Sequence, residues 1–320
     1  MKTKVLVIGC GRWGTFIAWY LNSVGLDVSL YGRSTSKNMK ELQEKRGNAY
    51  LKLEPEVKLI TSLETISSFD IIAISISTQG MQGLMDELKQ YDIKNKYFVL
   101  CMKGIEQRTL RRLSQIVEDN ADSSNHIGVW IGPGHAQDFL SSIPNCMVID
   151  SKEEETKKYL IELFSSDLIR FYYGKDLLGN EIGAATKNVI GIAAGILDGL
   201  HLSSLKGALM SRGTREISRL IKAMGGNELS AYGLCHLGDY EATVFSKHSH
   251  NREFGECFVK GIEYENLAEG YFTVEAVVSL GKKYGVDLPI CNAVYSILYL
   301  KTDPRNTINS LFERKLKEEF

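Results

Sequence analysis

The stretch Val5-Leu6-Val7-Ile8-Gly9-Cys10-Gly11-Arg12-Trp13-Gly14 constrains this chain more than any other. A β-branched run leads into G-x-G-x-x-G, and a helical pattern follows from Trp13 to Val24, so the segment reads as strand, tight turn and helix start. Gly9 permits the turn, Gly11 lets backbone approach a pyrophosphate, and Gly14 lets the helix pack closely on the strand. The first N–H groups of the helix then point at the phosphates. In that setting a dinucleotide is favoured over a glycine turn with no ligand. The second strand ends in Tyr31-Gly32-Arg33-Ser34, without the Asp or Glu that holds the ribose 2′-hydroxyl of NAD. Arg33 can meet the 2′-phosphate of NADP, or it is a solvated surface arginine. The expected cofactor is therefore NAD or NADP, with Arg33 favouring NADP.

Further apolar runs repeat the first: Asp27 to Tyr31, Glu56 to Ile60, Ile71 to Ser75, Tyr97 to Cys101, Ile127 to Ile131, Cys146 to Ile149 and Ile169 to Tyr173. Helical patterns at Trp13 to Val24, Met81 to Lys89 and Thr109 to Val117 lie between the earlier ones. Strands without strict alternation, separated by helices, predict an α/β fold with a mainly parallel sheet covered on both faces. The last two runs can pair antiparallel at an edge, which the pattern leaves open. Near Leu178 the character changes, and helices are expected over Glu181 to Leu200, Leu205 to Met224, Thr273 to Tyr284 and Ile290 to Leu300. At 320 residues the chain suits two domains, expected as 1–180, dinucleotide-binding, and 181–320, helical and substrate-binding.

Lys plus Arg is 38 against 39 for Asp plus Glu, a formal charge of −1, which argues against a nucleic-acid or polybasic membrane partner. Cysteines at 10, 101, 146, 235, 257 and 291 form no C-x-x-C pair and read as reduced, small apolar residues of a cytoplasmic protein. The longest apolar stretch, Val189 to Leu197, is far short of the roughly 20 residues that span a bilayer. No signal-like cleavage site follows Met1 to Gly9.

Lys187-Asn188 lies among Gly183, Ala184, Ala185, Val189, Ile190 and Gly191. A lysine desolvated there becomes a better general acid/base; the residues equally allow a lysine snorkelling from a packed helix. Lys103-Gly104 and Gly132-Pro133-Gly134-His135-Ala136 follow strands, at the carboxyl ends where doubly wound sheets bind ligands, although turn chemistry alone explains such residues too. Leu237-Gly238-Asp239 and Ser249-His250-Asn251-Arg252 form a polar run that can supply a carboxylate for Lys187 and donors for an anion. Cys235, His236, His248, His250 and Cys257 fit no compact zinc spacing, so no metal is expected.

Together with Lys103-Gly104-Ile105-Glu106, Arg212-Gly213, Phe254-Gly255 and Glu269-Gly270, these segments make the whole chain resemble NAD(P)-dependent glycerol-3-phosphate dehydrogenase. The resemblance implies a Rossmann-type domain followed by an all-helical one, an active site in the cleft between them, and a homodimer. It implies hydride transfer between a nicotinamide and a small phosphorylated three-carbon substrate, dihydroxyacetone phosphate, giving sn-glycerol 3-phosphate for phospholipid synthesis. Lys187 matches the general acid/base, Lys103 a second active-site lysine and Asp239 the carboxylate of the lysine network. Gly132, Gly134, Thr243, Ser249, His250 and Asn251 fall at substrate positions. Gly9, Gly11, Arg12, Trp13, Gly14, Arg33, Lys103, Ala136, His250, Leu267 and Glu269 fall at cofactor positions.

Three departures stand out. The usual S-R-N is Ser249-His250-Asn251, and imidazole reproduces neither the five donors nor the permanent charge of arginine. The usual G-L-G-D-L is His236-Leu237-Gly238-Asp239-Tyr240, preceded by Cys235. The asparagine before A-K-A-A-L is Ser204. The departures leave room for a reductase of the same build acting on a different small ketone or hydroxy acid, and a sensor of nicotinamide or lipid precursors without turnover is a third reading.

Overall fold

The computed structural model describes residues 2–316, 318 and 319; the outer limits of the two expected domains, residues 1 and 320, lie outside the described residues. The chain forms two compact units: Met1–Glu106 with Arg111–Glu181, and Gln107–Leu110 with Ile182–Phe320.

The strands of the first unit are β1 (Lys4–Ile8), β2 (Asp27–Tyr31), β3 (Lys58–Ile60), β4 (Ile71–Ile74), β5 (Tyr97–Leu100), β6 (His126–Ile131), β7 (Asn145–Asp150) and β8 (Ile169–Tyr173). Among the described residues they form one eight-stranded sheet in the order β3-β2-β1-β4-β5-β6-β7-β8. Val5, Leu6, Val7 and Ile8 of β1 are all buried, because β2 and β4 flank that strand in parallel and helices cover both faces. Each such side chain contributes roughly 1.5–3 kcal/mol of burial. Pairing is parallel out to β6. β7 then runs antiparallel to β6, and β8 is parallel to β7. The last two strands thus pair in parallel with each other and both run against the rest.

The helices of this unit are α1 (Arg12–Ser23), α2 (Lys37–Lys45), α3 (Met81–Leu88), α4 (Leu113–Asn120), α5 (Ala136–Leu140) and α6 (Glu154–Phe164). In α1, Phe16, Ile17, Tyr20 and Leu21 recur at helical spacing and are buried. Tyr20 packs edge-on against Trp130, which meets Phe164 and Phe171. The helix expected from Thr109 starts later, at Leu113. Leu110 has φ of 61°, and Ile105 bridges Arg112 antiparallel, so the residues before Arg112 turn back instead of coiling.

Helix α7 (Leu177–Gly199) begins in the last residues of the first unit. The second unit continues with α8 (Lys206–Ala223), α9 (His250–Lys260), α10 (Glu269–Tyr284), α11 (Pro289–Tyr299) and α12 (Pro304–Phe312). Gly191, Gly195 and Gly199 lie four residues apart on one face of α7, and α9 crosses there with almost no gap. A Cβ on Gly195 would sit 1.8 Å from the Arg252 carbonyl oxygen, and one on Gly255 would sit 2.2 Å from that of Ile192. At α11 the buried Glu216 carboxylate accepts from the amides of Ile290 and Cys291, both at 2.9 Å, supplying the acceptors that a helix start lacks. Among the described residues no helix is long and apolar enough to cross a membrane.

Candidate active site

In the first unit the turn after β1 is held by neighbours that only glycine admits. Gly9 has φ of +116°, and a Cβ there would lie 2.1 Å from the Ser75 carbonyl oxygen; one on Gly14 would lie 1.9 Å from the Gly9 oxygen. A Cβ on Gly11 would meet nothing within 4 Å. The two outer glycines therefore lock the turn, while the middle one faces open space. Gly11 is the N-cap of α1, and the first turn of that helix holds no acidic residue. Open backbone and unopposed N–H groups fit a dinucleotide pyrophosphate. Trp13 stacks on Phe16 with ring centroids 4.9 Å apart, and the Arg12 guanidinium lies over the Tyr50 ring at 5.7 Å. A Cβ on Gly32 would be 2.4 Å from Cys10 Sγ, which places the exposed Arg33 next to the glycine turn.

At the carboxyl ends of β5 and β6, Lys103 Nζ donates to the Gly132 carbonyl at 2.6 Å. Gly132 and Gly134 have φ of +134° and +136°, conformations that carry the chain into the start of α5 at the buried Ala136. Thr78 packs beneath the next loop: a Cβ on Gly104 would lie 2.2 Å from Thr78 Oγ1. Gln79 Nε2 donates to the Ile105 carbonyl at 3.0 Å. Neither Thr78 nor Gln79 stood out in the sequence.

In the second unit, Lys187 is 8% exposed and Asp239 is fully buried. Their charged atoms, Nζ and Oδ2, are 2.8 Å apart. Lys187 Nζ also donates to Thr243 Oγ1 at 2.8 Å, and Thr243 Oγ1 donates to the Asp239 backbone carbonyl at 2.7 Å. An ammonium with a buried carboxylate and a hydroxyl beside it has the chemistry to transfer a proton to an oxygen placed against it.

Asn251 joins this face of α7. A Cβ on Gly191 would meet Thr243 Cγ2 at 2.7 Å and Asn251 Cβ at 3.2 Å. Asn251 Oδ1 accepts from the Gly270 amide at 2.9 Å, and a Cβ on Gly270 would lie 2.7 Å from the Asn188 carbonyl. Ser249 caps α9, its hydroxyl accepting from the Arg252 amide at 3.3 Å. Glu269 opens α10. His250 Nδ1 lies 2.6 Å from Tyr264 Oη, so its ring is held by Tyr264; Leu267 is an exposed residue just before α10. Arg252 is engaged by Asp198 at 2.8 Å and Glu256 at 3.0 Å.

The structure also gives His236 a role that its sequence neighbours did not suggest. The ring is fully buried, bonded to Gly183 and Tyr240, and burial pushes its pKa down to about 4. Among the described residues no group of three or more His, Cys, Asp or Glu is arranged to hold a metal ion.

Residues 4–157 match the family model described as NAD-dependent glycerol-3-phosphate dehydrogenase N-terminus, and residues 176–309 match that described as its C-terminus. The chain is 33% identical, over all of both sequences, to a protein of Francisella tularensis subsp. novicida named glycerol-3-phosphate dehydrogenase (NAD(P)+). It is 34% identical, over 99% of each, to one of the same name from Staphylococcus epidermidis. A crystal structure of glycerol-3-phosphate dehydrogenase from Coxiella burnetii superposes with a TM-score of 0.92 at 26% identity, covering 98% of this chain and 99% of that one.

Proposed function

This chain belongs to the NAD-dependent glycerol-3-phosphate dehydrogenase family, and from that premise we propose that it interconverts dihydroxyacetone phosphate and sn-glycerol 3-phosphate with NAD(P)H, supplying glycerol 3-phosphate for phospholipid synthesis. The observation that carries this reading is the buried Lys187–Asp239–Thr243 network. The nicotinamide supplies the hydride when bound. Residues 1–180 hold the dinucleotide through Gly9, Gly11, Arg12, Trp13, Gly14, Arg33 and Ala136, with Leu267 and Glu269 as further contacts. Residues 181–320 hold the substrate and carry the proton donor.

Ketone reduction needs a proton delivered to the carbonyl oxygen as negative charge develops there. Lys187 Nζ gives that proton, and Asp239 keeps the lysine charged and aimed until it does. Lys103, already donating to the Gly132 carbonyl, orients substrate beside Gly132 and Gly134 and opposes charge on its oxygen. Thr243, Ser249, His250 and Asn251 meet the hydroxyls and the phosphate, His250 standing where the family carries arginine and reaching the cofactor as well. We take the working form to be a homodimer, as the family resemblance implies, and cytoplasmic, as the cysteine pattern suggests, with sedimentation expected at about twice 35.8 kDa.

The test is oxidation of NADH and NADPH driven by dihydroxyacetone phosphate, set beside unphosphorylated analogues. Lys187→Ala is expected to lower kcat by about 10²–10⁴-fold. A folded parent protein that oxidises neither nicotinamide with this substrate would overturn the assignment.

A further inference from the structure

The carboxylate that pairs with Lys187 is bracketed in sequence by two buried polar side chains that bond to each other. His236 lies three residues before Asp239 and Tyr240 directly after it, and all three are fully buried. His236 Nδ1 is 2.8 Å from the Gly183 carbonyl oxygen, and Tyr240 Oη is 2.7 Å from His236 Nε2. A carbonyl only accepts, so Nδ1 carries the proton, Nε2 is the acceptor and the tyrosine hydroxyl donates to it. Thr186 Oγ1, 3.4 Å from Nδ1, donates to the Ile182 carbonyl at 2.8 Å. Thr214 Oγ1 lies 3.4 Å from Tyr240 Oη.

The anchor point matters. In an α-helix the carbonyl of residue 183 also receives the amide of residue 187. The imidazole therefore bonds to the turn of α7 that carries Lys187. Approach is close, since a Cβ on Gly183 would stand 3.0 Å from His236 Cβ. Asp239 itself sits in a short turn, Leu237–Asp239, with its amide donating to the His236 carbonyl at 3.0 Å. Such a turn has little rigidity of its own, and the His236–Tyr240 bond closes it from both sides.

We propose that His236 and Tyr240 are positioning residues for proton transfer, fixing the Asp239 carboxylate against the Lys187 ammonium by tying its turn to Gly183 of α7. This rests on the reading of Lys187 as the proton donor. Attraction between unit charges falls as 1/r, so lengthening a 2.8 Å contact by about 1 Å weakens it by about a quarter. A looser carboxylate lets the ammonium lose its proton at lower pH. Titratable groups on the elements around Lys187 include Asp239, paired with it at 2.8 Å, His236 and Tyr240 on this segment, His250, Glu253 and Glu256 on α9, and Glu269 and Glu275 on α10. His236 stays neutral through an assay at pH 6 to 10, so it contributes no limb of its own there.

Tyr240→Phe removes one hydroxyl and leaves the ring. Expected are a kcat for dihydroxyacetone phosphate reduction lower by about tenfold, an unchanged KM for the nicotinamide cofactor, and an alkaline limb of the kcat profile moved to lower pH. If that variant does not fold, His236→Asn, which keeps a donor for Gly183 but offers no acceptor at Nε2, is expected to move the limb in the same direction. A folded variant whose rate falls while the limb stays in place would show a merely structural role and overturn the proposal, as would a variant with the parent's rate and profile. Spectra of the parent labelled with 15N-histidine should show one ring protonated at Nδ1 alone and unchanged down to pH 5; its absence also overturns the proposal. A parent with no turnover of this substrate would strike the proposed function, whereas the labelled spectra read the hydrogen bonds independently of turnover.

Discussion

Replacing Gly195 by alanine adds a single methyl group at the place where α7 and α9 have least room. The new Cβ would lie 1.8 Å from the Arg252 carbonyl oxygen and 2.8 Å from both the Arg252 carbonyl carbon and the Glu256 amide. These are backbone atoms inside a helix, so no side chain can swing aside. Restoring a carbon–oxygen contact of about 3.3 Å demands that α9 move away by about 1.5 Å. Overpacking of this kind costs about 1–3 kcal/mol, or a fall in Tm of about 2–4 °C per kcal/mol for a unit of this size. The same movement carries Ser249 and Asn251 at the head of α9 away from Gly191 and Thr243. A misplacement on that scale is expected to lower kcat/KM by about 10²-fold. Calorimetry and initial rates with dihydroxyacetone phosphate measure the two effects together. Gly207→Ala in α8 is the control, because a Cβ there would meet nothing within 4 Å, and it should be neutral or stabilise by up to about 1 kcal/mol. A Gly195→Ala protein that melts within a degree of the parent and keeps its kcat/KM would refute the claim that contact between the two backbones sets the site.

Arg33→Ala should raise KM for NADPH by about tenfold or more and leave KM for NADH within twofold, a comparison made by initial rates with each cofactor. If His250 serves the phosphate, His250→Arg should lower KM for dihydroxyacetone phosphate, and the parent's KM should climb as pH rises and the imidazolium is lost; a KM indifferent to both removes His250 from the site. His236 gives a stability prediction with a definite sign. Its folded pKa of about 4 lies below the ordinary imidazole value of 6.5, so its contribution is fully present above about pH 6.5 and is lost as pH falls towards 4, by about 3 kcal/mol in all. Urea midpoints at pH 7 and pH 5 should therefore converge in His236→Asn and stay apart in the parent.

Much of the first unit is legible because its strands are continuous apolar runs that only a two-faced sheet can bury, and because Gly9 and Gly14 answer to backbone oxygens that any β-carbon would strike. The direction of β7 was not legible. A run such as Met147-Val148-Ile149 is equally apolar whichever way its neighbour points, and the joint depends on the loop and short helix that follow β6. Lys187 among small and apolar neighbours and Asp239 in a polar run could each be singled out, but with over fifty residues between them no spacing rule fixes the 2.8 Å contact of their charged atoms. His236 carried no positive signal in the sequence, where its spacing to cysteine and histidine only argued against zinc, and its bonds to the carbonyl of Gly183 and the hydroxyl of Tyr240 depend on tertiary packing. Residues 107–110 belong with the second unit although they interrupt the first in sequence, a partition set by packing and carried by no local pattern.

The central place of β1 in its sheet has a consequence for how the protein is made. The strand leaves the ribosome before one of its two neighbours, β4, about 66 residues further on, which at about 5–20 residues per second arrives some 3–13 s later. Until then Val5, Leu6, Val7 and Ile8 lack the partner on one side, and the Ser75 carbonyl that walls in Gly9 does not yet exist. A nascent chain in that interval has apolar side chains without their neighbours and no finished cradle with which a nicotinamide dinucleotide could template its folding. Cellular cofactor levels should therefore leave the yield of the early chain untouched and act only on the completed sheet, as protection against later unfolding.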